Sequence, residues 1–272
     1  SGVGRLPEPA TLVAALVEAI GDAAIREPNE SRRPPLVAAG DLSGRRVVIS
    51  AGGTEEPIDG VRILANRSSG RQGIALAEAA RDRGADVVLI AARVAIPLPD
   101  GVEVTRVATV AELQSALDKA LLPPPNGAAA PLADLYVSAA AVSDFRVAGG
   151  PSSEKLRRDG PLTLHLEPTP DLLAGIATSL GPRANRTTKL IGFSAESGAT
   201  TRAAEKLKAK DLDLIVANDV GAPGIGFESE QNAVEVLHVD GSSERIGPAP
   251  KRVVADRILD HAVRLLHGRT SA

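Results

Sequence analysis

Short runs of Val, Leu, Ile and Ala alternate with amphipathic segments along most of the chain, and the runs end in loops rich in Gly, Ser and charged residues. Aromatics make up only 1% of the residues (Tyr136, Phe145, Phe193 and Phe227), so aliphatic side chains must fill the interior. These observations predict an α/β fold: a Rossmann-like, doubly wound, mostly parallel sheet with a late antiparallel hairpin. Strands of such a sheet are covered on both faces and read as unbroken apolar runs.

Residues 1–27 hold a turn, GRLPEP, and an apolar-periodic helix, ATLVAALVEAI; residues 28–44 form a polar, proline-bearing linker. A boundary is expected near residue 40, leaving a 41–272 domain after a 1–40 remnant. Within that domain 46–51 (RVVISA) reads as a central strand, 73–83 as an amphipathic helix stopped by Gly84, and 86–91 (DVVLIA) as the next strand. A strand at 102–107 and a helix at 110–121 continue the alternation, followed by strands at 135–140 and 189–193. A helix at 200–209 leads to a strand at 212–217, a late hairpin strand at 233–239 and a closing helix at 250–267. Strands spaced by helices imply right-handed crossovers.

The net charge of −3 over 272 residues offers no basic field for nucleic acid, and so few aromatics offer no platform for stacking bases. There is no Cys, which excludes disulfides, zinc–thiolate sites and thiol catalysis, and the four His show no metal-ligand spacing. No apolar run approaches a membrane span and no signal peptide is visible, so the cytoplasm is the expected location. Met is missing even at position 1, which predicts a chain that begins inside a longer gene product.

In doubly wound sheets ligands bind outside the carboxyl ends of the strands, which directs attention to four loops. The first, GGTEEPIDGVRILANRSSG, is far longer than an ordinary strand-to-helix turn. Gly52 and Gly53 allow close backbone approach, and Ser68, Ser69 and Gly70 precede a helix whose free amides favour phosphate. Arg62, Arg67 and Arg71 favour an anionic ligand there; a plain Ser N-cap is the alternative. The second, AAAVSDFRV, places Asp144 at its tip, a ligand for Mg²⁺ or a hydroxyl, or else a turn residue. After it, VAGGPSSEKLRRDG carries Lys155, Arg157 and Arg158 and reads as a segment that closes on anions, or as a solvated loop. The third, EPTPDLLAG, starts a helix with Pro170 at its first position and Asp171 behind it. In the fourth region, GFSAE and KLKAKDLDLIVAND, Lys206 and Lys210 share one helix face while Lys208 points elsewhere.

These segments, with EKLRR and GFESEQNA, resemble in order the phosphopantothenoylcysteine synthetase family in its CTP-using bacterial form, over about residues 44–268. GRLPEP and its helix resemble the end of the flavin-dependent decarboxylase commonly fused ahead of that synthetase; FMN would belong to the part not contained here. The resemblance implies a ligase of coenzyme A biosynthesis. CTP activates the carboxylate of 4′-phosphopantothenate as an acyl-cytidylate, and the amine of L-cysteine then displaces CMP.

It further implies roles residue by residue. Asn66 holds the acyl-cytidylate, Arg62 is a nearby functional arginine, Asp144 lies in the CTP site close to Mg²⁺, and Lys155 reaches over the intermediate and phosphates. Pro170, Asp171, Leu172 and Leu173 read cytosine, and Phe193, Lys206 and Lys210 complete the nucleotide contacts. Arg71 stands where relatives often carry Lys, which preserves the charge. A homodimer with the site completed near the subunit contact is implied, within a larger assembly of the full-length bifunctional protein. An NAD(P)-linked enzyme is the rival reading, but the compact glycine fingerprint and an acidic end to the second strand are missing; Ala91-Ala92-Arg93 stands there. A nucleotide-sensing module without catalysis is a third.

Overall fold

The computed structural model describes residues 40–124, 126, 132–196, 201–219 and 229–268. The chain divides into two units, Ser1–Val37 and Ala38–Ala272. The first, with its expected helix, lies outside the described residues, as do parts of the IGFSAES, KLKAKDLDLIVANDV and GFESEQNA motifs.

At the centre of the second unit is an eight-stranded sheet. From one edge run β5 (Glu103–Arg106), β4 (Asp86–Ala91), β1 (Arg46–Ala51), β6 (Leu135–Ser138), β9 (Lys189–Glu196) and β10 (Leu214–Asp219), all parallel. β11 (Gln231–His238) then adds antiparallel to β10, and β12 (Ser243–Pro250) antiparallel to β11, as the expected late hairpin. Proline lacks the N–H that a ladder needs, so Pro248 and Pro250 are placed where they cost least, on the edge strand.

Successive side chains of a strand point to opposite faces, and both faces here are apolar. Val47, Ile49 and Ala51 of β1 pack with α1 (Arg71–Asp82) and α5 (Lys251–His267). Val48 faces the other way, into a second core built from α2 (Val110–Leu121), α3 (Leu172–Leu180) and α4 (Thr201–Ala209). Burying Val47, Val48 and Ile49 completely contributes about 1.5–3 kcal/mol for each side chain. Among the described residues no helix is long and apolar enough to cross a membrane.

Two features depart from the sequence reading. The long first loop contains a hairpin, β2 (Glu55–Pro57) with β3 (Ile63–Ala65), and a second hairpin joins β7 (Phe145–Val147) to β8 (Leu166–Pro168). Pro170 is not the first helical residue; Asp171 is the N-cap, its carboxylate accepting from Ala174 N at 3.1 Å, and the helix starts at Leu172. A side-chain acceptor for an orphan amide stabilises the start more than a missing amide does, so the cap moved past the proline.

Candidate active site

The chain runs outward from β1 to β4 and β5 on one side and to β6, β9 and β10 on the other. Adjacent loops therefore part where β1 and β6 end, and a crevice must open there. A cleft of about 580 Å³ occupies that point.

Its floor is held by hydrogen bonds that join the first loop to the second and to the chain after β4. Gly53 N donates to Arg93 O at 3.0 Å, Ala141 N to Gly52 O at 2.7 Å, and Ser143 N to the buried Thr54 Oγ1 at 2.8 Å. Gly52 has φ 86°, and a Cβ there would lie 2.3 Å from the Arg93 carbonyl oxygen. At Gly53 a Cβ would come within 3.1 Å of Asn66 O. These glycines admit neighbouring backbone rather than a ligand, and neither lines the cleft, contrary to the reading from sequence. Asn66 does line it, and its Nδ2 donates to Val142 O at 2.8 Å, tying the first loop to the second. Tyr136 lies beneath, its phenol pushed up by burial and 3.2 Å from Ser50 Oγ; it stays neutral.

Ser68, Ser69 and Gly70 line the cleft at the start of α1. The N-cap is Gly70 at φ 73°, and no side chain caps the helix, which disposes of the plain Ser N-cap. Gly73 lets α1 sit against β1, since a Cβ there would lie 2.5 Å from Ala51 Cβ.

On the opposite side Pro170, Asp171, Leu172, Leu173 and Phe193 line the cleft. Lys206 and Lys210 line it too and Lys208 does not, as the helical spacing predicts. Both lysines already hold protein groups: Lys206 Nζ lies 2.9 Å from Ser194 Oγ, and Lys210 Nζ lies 2.8 Å from the Asp171 carboxylate. Asp144 is exposed at the rim, and its backbone oxygen accepts from Thr169 N at 3.0 Å.

Arg62 and Lys155 are not among the cleft-lining residues. Arg62 pairs with Asp59 and donates to Leu156 O at 3.2 Å and 3.3 Å, bracing the segment on which exposed Lys155 sits. Burial opposes ionisation of Asp59. The amides of Leu156, Val61 and Arg62 and the Arg62 guanidinium outweigh it, holding the carboxyl well below the usual range. Ser152 N adds a bond to Ile58 O at 3.0 Å.

Gln72, Asn232 and Lys251 line the cleft and escaped the sequence reading. A signal for Lys251 exists: it is a cation at the first position of α5, where the helix dipole favours acidic residues.

The model of the DNA/pantothenate metabolism flavoprotein C-terminal domain matches residues 42–266. The chain belongs to this family. It is 39% identical over 284 residues to the coenzyme A biosynthesis bifunctional protein CoaBC of Mycobacterium tuberculosis (strain ATCC 25618 / H37Rv), covering 100% of this chain and 62% of that one. CoaBC of Bacillus subtilis (strain 168) is 36% identical over 267 residues, covering 97% of this chain and 59% of the relative. The chain thus spans about three fifths of the length of these relatives. Among solved structures, the C-terminal domain of a CoaBC is similar at a TM-score of 0.67 and 29% identity, covering 84% of this chain and 99% of that one. A DNA/pantothenate metabolism flavoprotein from Streptococcus pneumoniae shares the fold at a TM-score of 0.64 and 21% identity.

Proposed function

We propose that the protein is the CTP-dependent phosphopantothenate–cysteine ligase of coenzyme A biosynthesis, acting in the cytoplasm. The observation that carries this reading is convergence. Asn66, Asp144, the 170–173 segment, Phe193, Lys206 and Lys210 lie far apart in sequence and line one cleft at the switch point. Membership in a family that includes coenzyme A biosynthesis bifunctional proteins at 34–39% identity supports it.

In the first step a carboxylate oxygen of 4′-phosphopantothenate attacks the α-phosphorus of CTP, and pyrophosphate leaves. In the second the cysteine amine attacks the acyl carbon, CMP leaves with the bonding pair, and an amide forms. No protein nucleophile is needed, in keeping with a chain that contains no Cys. The work of the protein is positioning and charge stabilisation. Asn66 spends one amide hydrogen on Val142 O, which fixes its plane and leaves Oδ1 and the second hydrogen for the anhydride and the incoming amine. Lys206 and Lys210 hold the triphosphate, Lys210 exchanging Asp171 for phosphate oxygens and freeing that carboxylate to meet the cytosine amino group. Among the described residues no cluster of three or more His, Asp or Glu could hold a metal. A single carboxylate still fits Mg²⁺, which takes most of its ligands from phosphates and water. Asp144 would hold Mg²⁺ beside the phosphates, where it supplies charge neutralisation.

Val61, Ile63, Phe145, Leu162, Leu164 and Leu166 are exposed on the two small hairpins and the chain between β7 and β8. A second copy of the chain covering this face gives a homodimer and brings Arg62 and Lys155 to act at the subunit contact. The test of the whole reading is incubation with 4′-phosphopantothenate, cysteine, CTP and Mg²⁺. Pyrophosphate and the amide product are expected, and a protein that releases neither under these conditions is not this ligase.

A further inference from the structure

The chain from β8 toward α3 reads Pro168-Thr169-Pro170, so Thr169 carries the only backbone N–H of the three residues. A residue before proline is confined to extended backbone, which stiffens this link between β8 and the N-cap Asp171. Both donors of Thr169 are spent on the second loop. Its amide continues the β7–β8 ladder by one bond, to Asp144 O at 3.0 Å. Its hydroxyl reaches one residue further and donates to Ser143 O at 2.5 Å. Ser143 is buried and held from its other side: its N donates to the buried Thr54 Oγ1 at 2.8 Å, and its Oγ donates to Phe145 O at 2.8 Å. The peptide that carries Asp144 is thus clamped by Thr54 from the first loop and by Thr169 from the third. The Asp144 side chain is exposed, and among the described residues nothing bonds its carboxylate.

A clamp that served the core alone would end on buried residues, yet this one ends on the exposed Asp144 and on Phe145, which is 49% exposed. What it fixes is the direction in which a carboxylate leaves the floor of the cleft. Ser143, Asp144 and Thr169 all line that cleft, and Thr169 leads directly into the 170–173 segment. We infer that Thr169 is a positioning residue for Asp144. Its hydroxyl orients the Ser143–Asp144 peptide and so sets the carboxylate at a fixed place relative to the base-reading segment, where Mg²⁺ on the phosphates meets it. Ordering the carboxylate before the metal arrives removes part of the entropic cost of binding. This inference rests on the ligase reading for CTP and for the role of Asp144.

The test is a cycle of Thr169→Val, Asp144→Asn and the double variant, with Thr169→Ser beside it. Valine keeps the amide and the shape of the side chain and removes the hydroxyl. Calorimetric titration gives Kd for CTP in Mg²⁺ and in EDTA, and the ratio of the two measures what the metal adds. The unaltered protein should bind CTP tighter in Mg²⁺, and Asp144→Asn should remove most of that difference. Thr169→Val should shrink the ratio roughly twofold to tenfold, the loss of one neutral hydrogen bond, while Kd in EDTA stays within about twofold. Thr169→Ser, which keeps the hydroxyl, should restore the ratio. Because Thr169 acts through Asp144, the double variant should show no further loss beyond Asp144→Asn. An unchanged ratio in Thr169→Val, an equal loss with and without the Asp144 carboxylate, or a weakening in EDTA as large as in Mg²⁺ overturns the inference and leaves the ligase reading standing. Should the unaltered protein bind no CTP, or bind it equally in Mg²⁺ and EDTA, the reading beneath the inference falls and takes the role of Thr169 with it.

Discussion

The floor of the cleft and the arm beside it are built on opposite principles. The floor hangs from strands buried on both faces: Val47, Val48 and Ile49 have no exposed surface, and the loops after these strands are joined by backbone bonds around Gly52 and Gly53. The arm consists of three-residue strands and the chain between them, with Val61 66% and Leu162 56% exposed. One buried carboxylate, Asp59, organises it through three amides and Arg62. In the proposed reaction Asn66, which must stay in place, is tied to the floor through Val142 O, whereas Arg62 and Lys155, which act when substrate is present, are set on the arm. The difference teaches that the arm's specification is polar and local, and that its apolar side chains stay largely outside the core.

The contrast can be broken most severely at the floor. Asn66→Asp is expected to lower amide formation by roughly a hundredfold to a thousandfold, on the scale of losing one oriented donor. Activation should survive, so the acyl-cytidylate should accumulate and be seen by mass spectrometry; near-normal turnover would remove Asn66 from the reaction. On the arm, Lys155→Gln should lower kcat by roughly a hundredfold with little change in CTP affinity, because its charge is needed as the anhydride forms. Full turnover would make the 148–158 segment an ordinary solvated loop.

A smaller effect is expected in nucleotide choice. If residues 170–173 read the base, kcat/KM for CTP should exceed that for ATP and UTP by more than about tenfold, since a fitted polar site is left unpaired by the wrong base. Equal use of all three would reduce that segment to a helix start. Val61→Asp, on the exposed arm, should shift a dimer to monomer in light scattering while leaving the melting temperature within a few degrees; an unchanged mass would place the contact elsewhere.

The mildest test concerns Asp59. Its carboxyl is held below the usual range in the folded protein, so its contribution is fully present above the unfolded value of about 3.9 and is lost as pH falls through the lower folded value. Exchange protection of the Leu156 amide, corrected for intrinsic rates, should therefore be flat from about pH 8 to pH 4 and drop only below that. A drop between about pH 6 and pH 5 would show that the Asp59 carboxyl is raised rather than held below the usual range. Asp59→Asn should speed exchange at 152–156 and leave the central strands protected.

The central strands β1 and β4 and the helix α2 lie where the apolar runs put them, because burial writes itself into consecutive residues. The loops worth searching were legible for the same reason, through their length and their Gly, Ser and Arg content. The hairpins β2–β3 and β7–β8 were not, since three residues show no period. Pro170 and Asp171 both suit a helix start, and only the packed structure chose between them. Nor could the sequence say that the space left by Gly52 is taken by the Arg93 carbonyl, or that Lys251 stands 179 residues from Gln72 along the chain and against it in space. Local pattern reports which face of an element is buried. Which residues meet across a crevice depends on strand order and crossover, and those are fixed only when the sheet assembles.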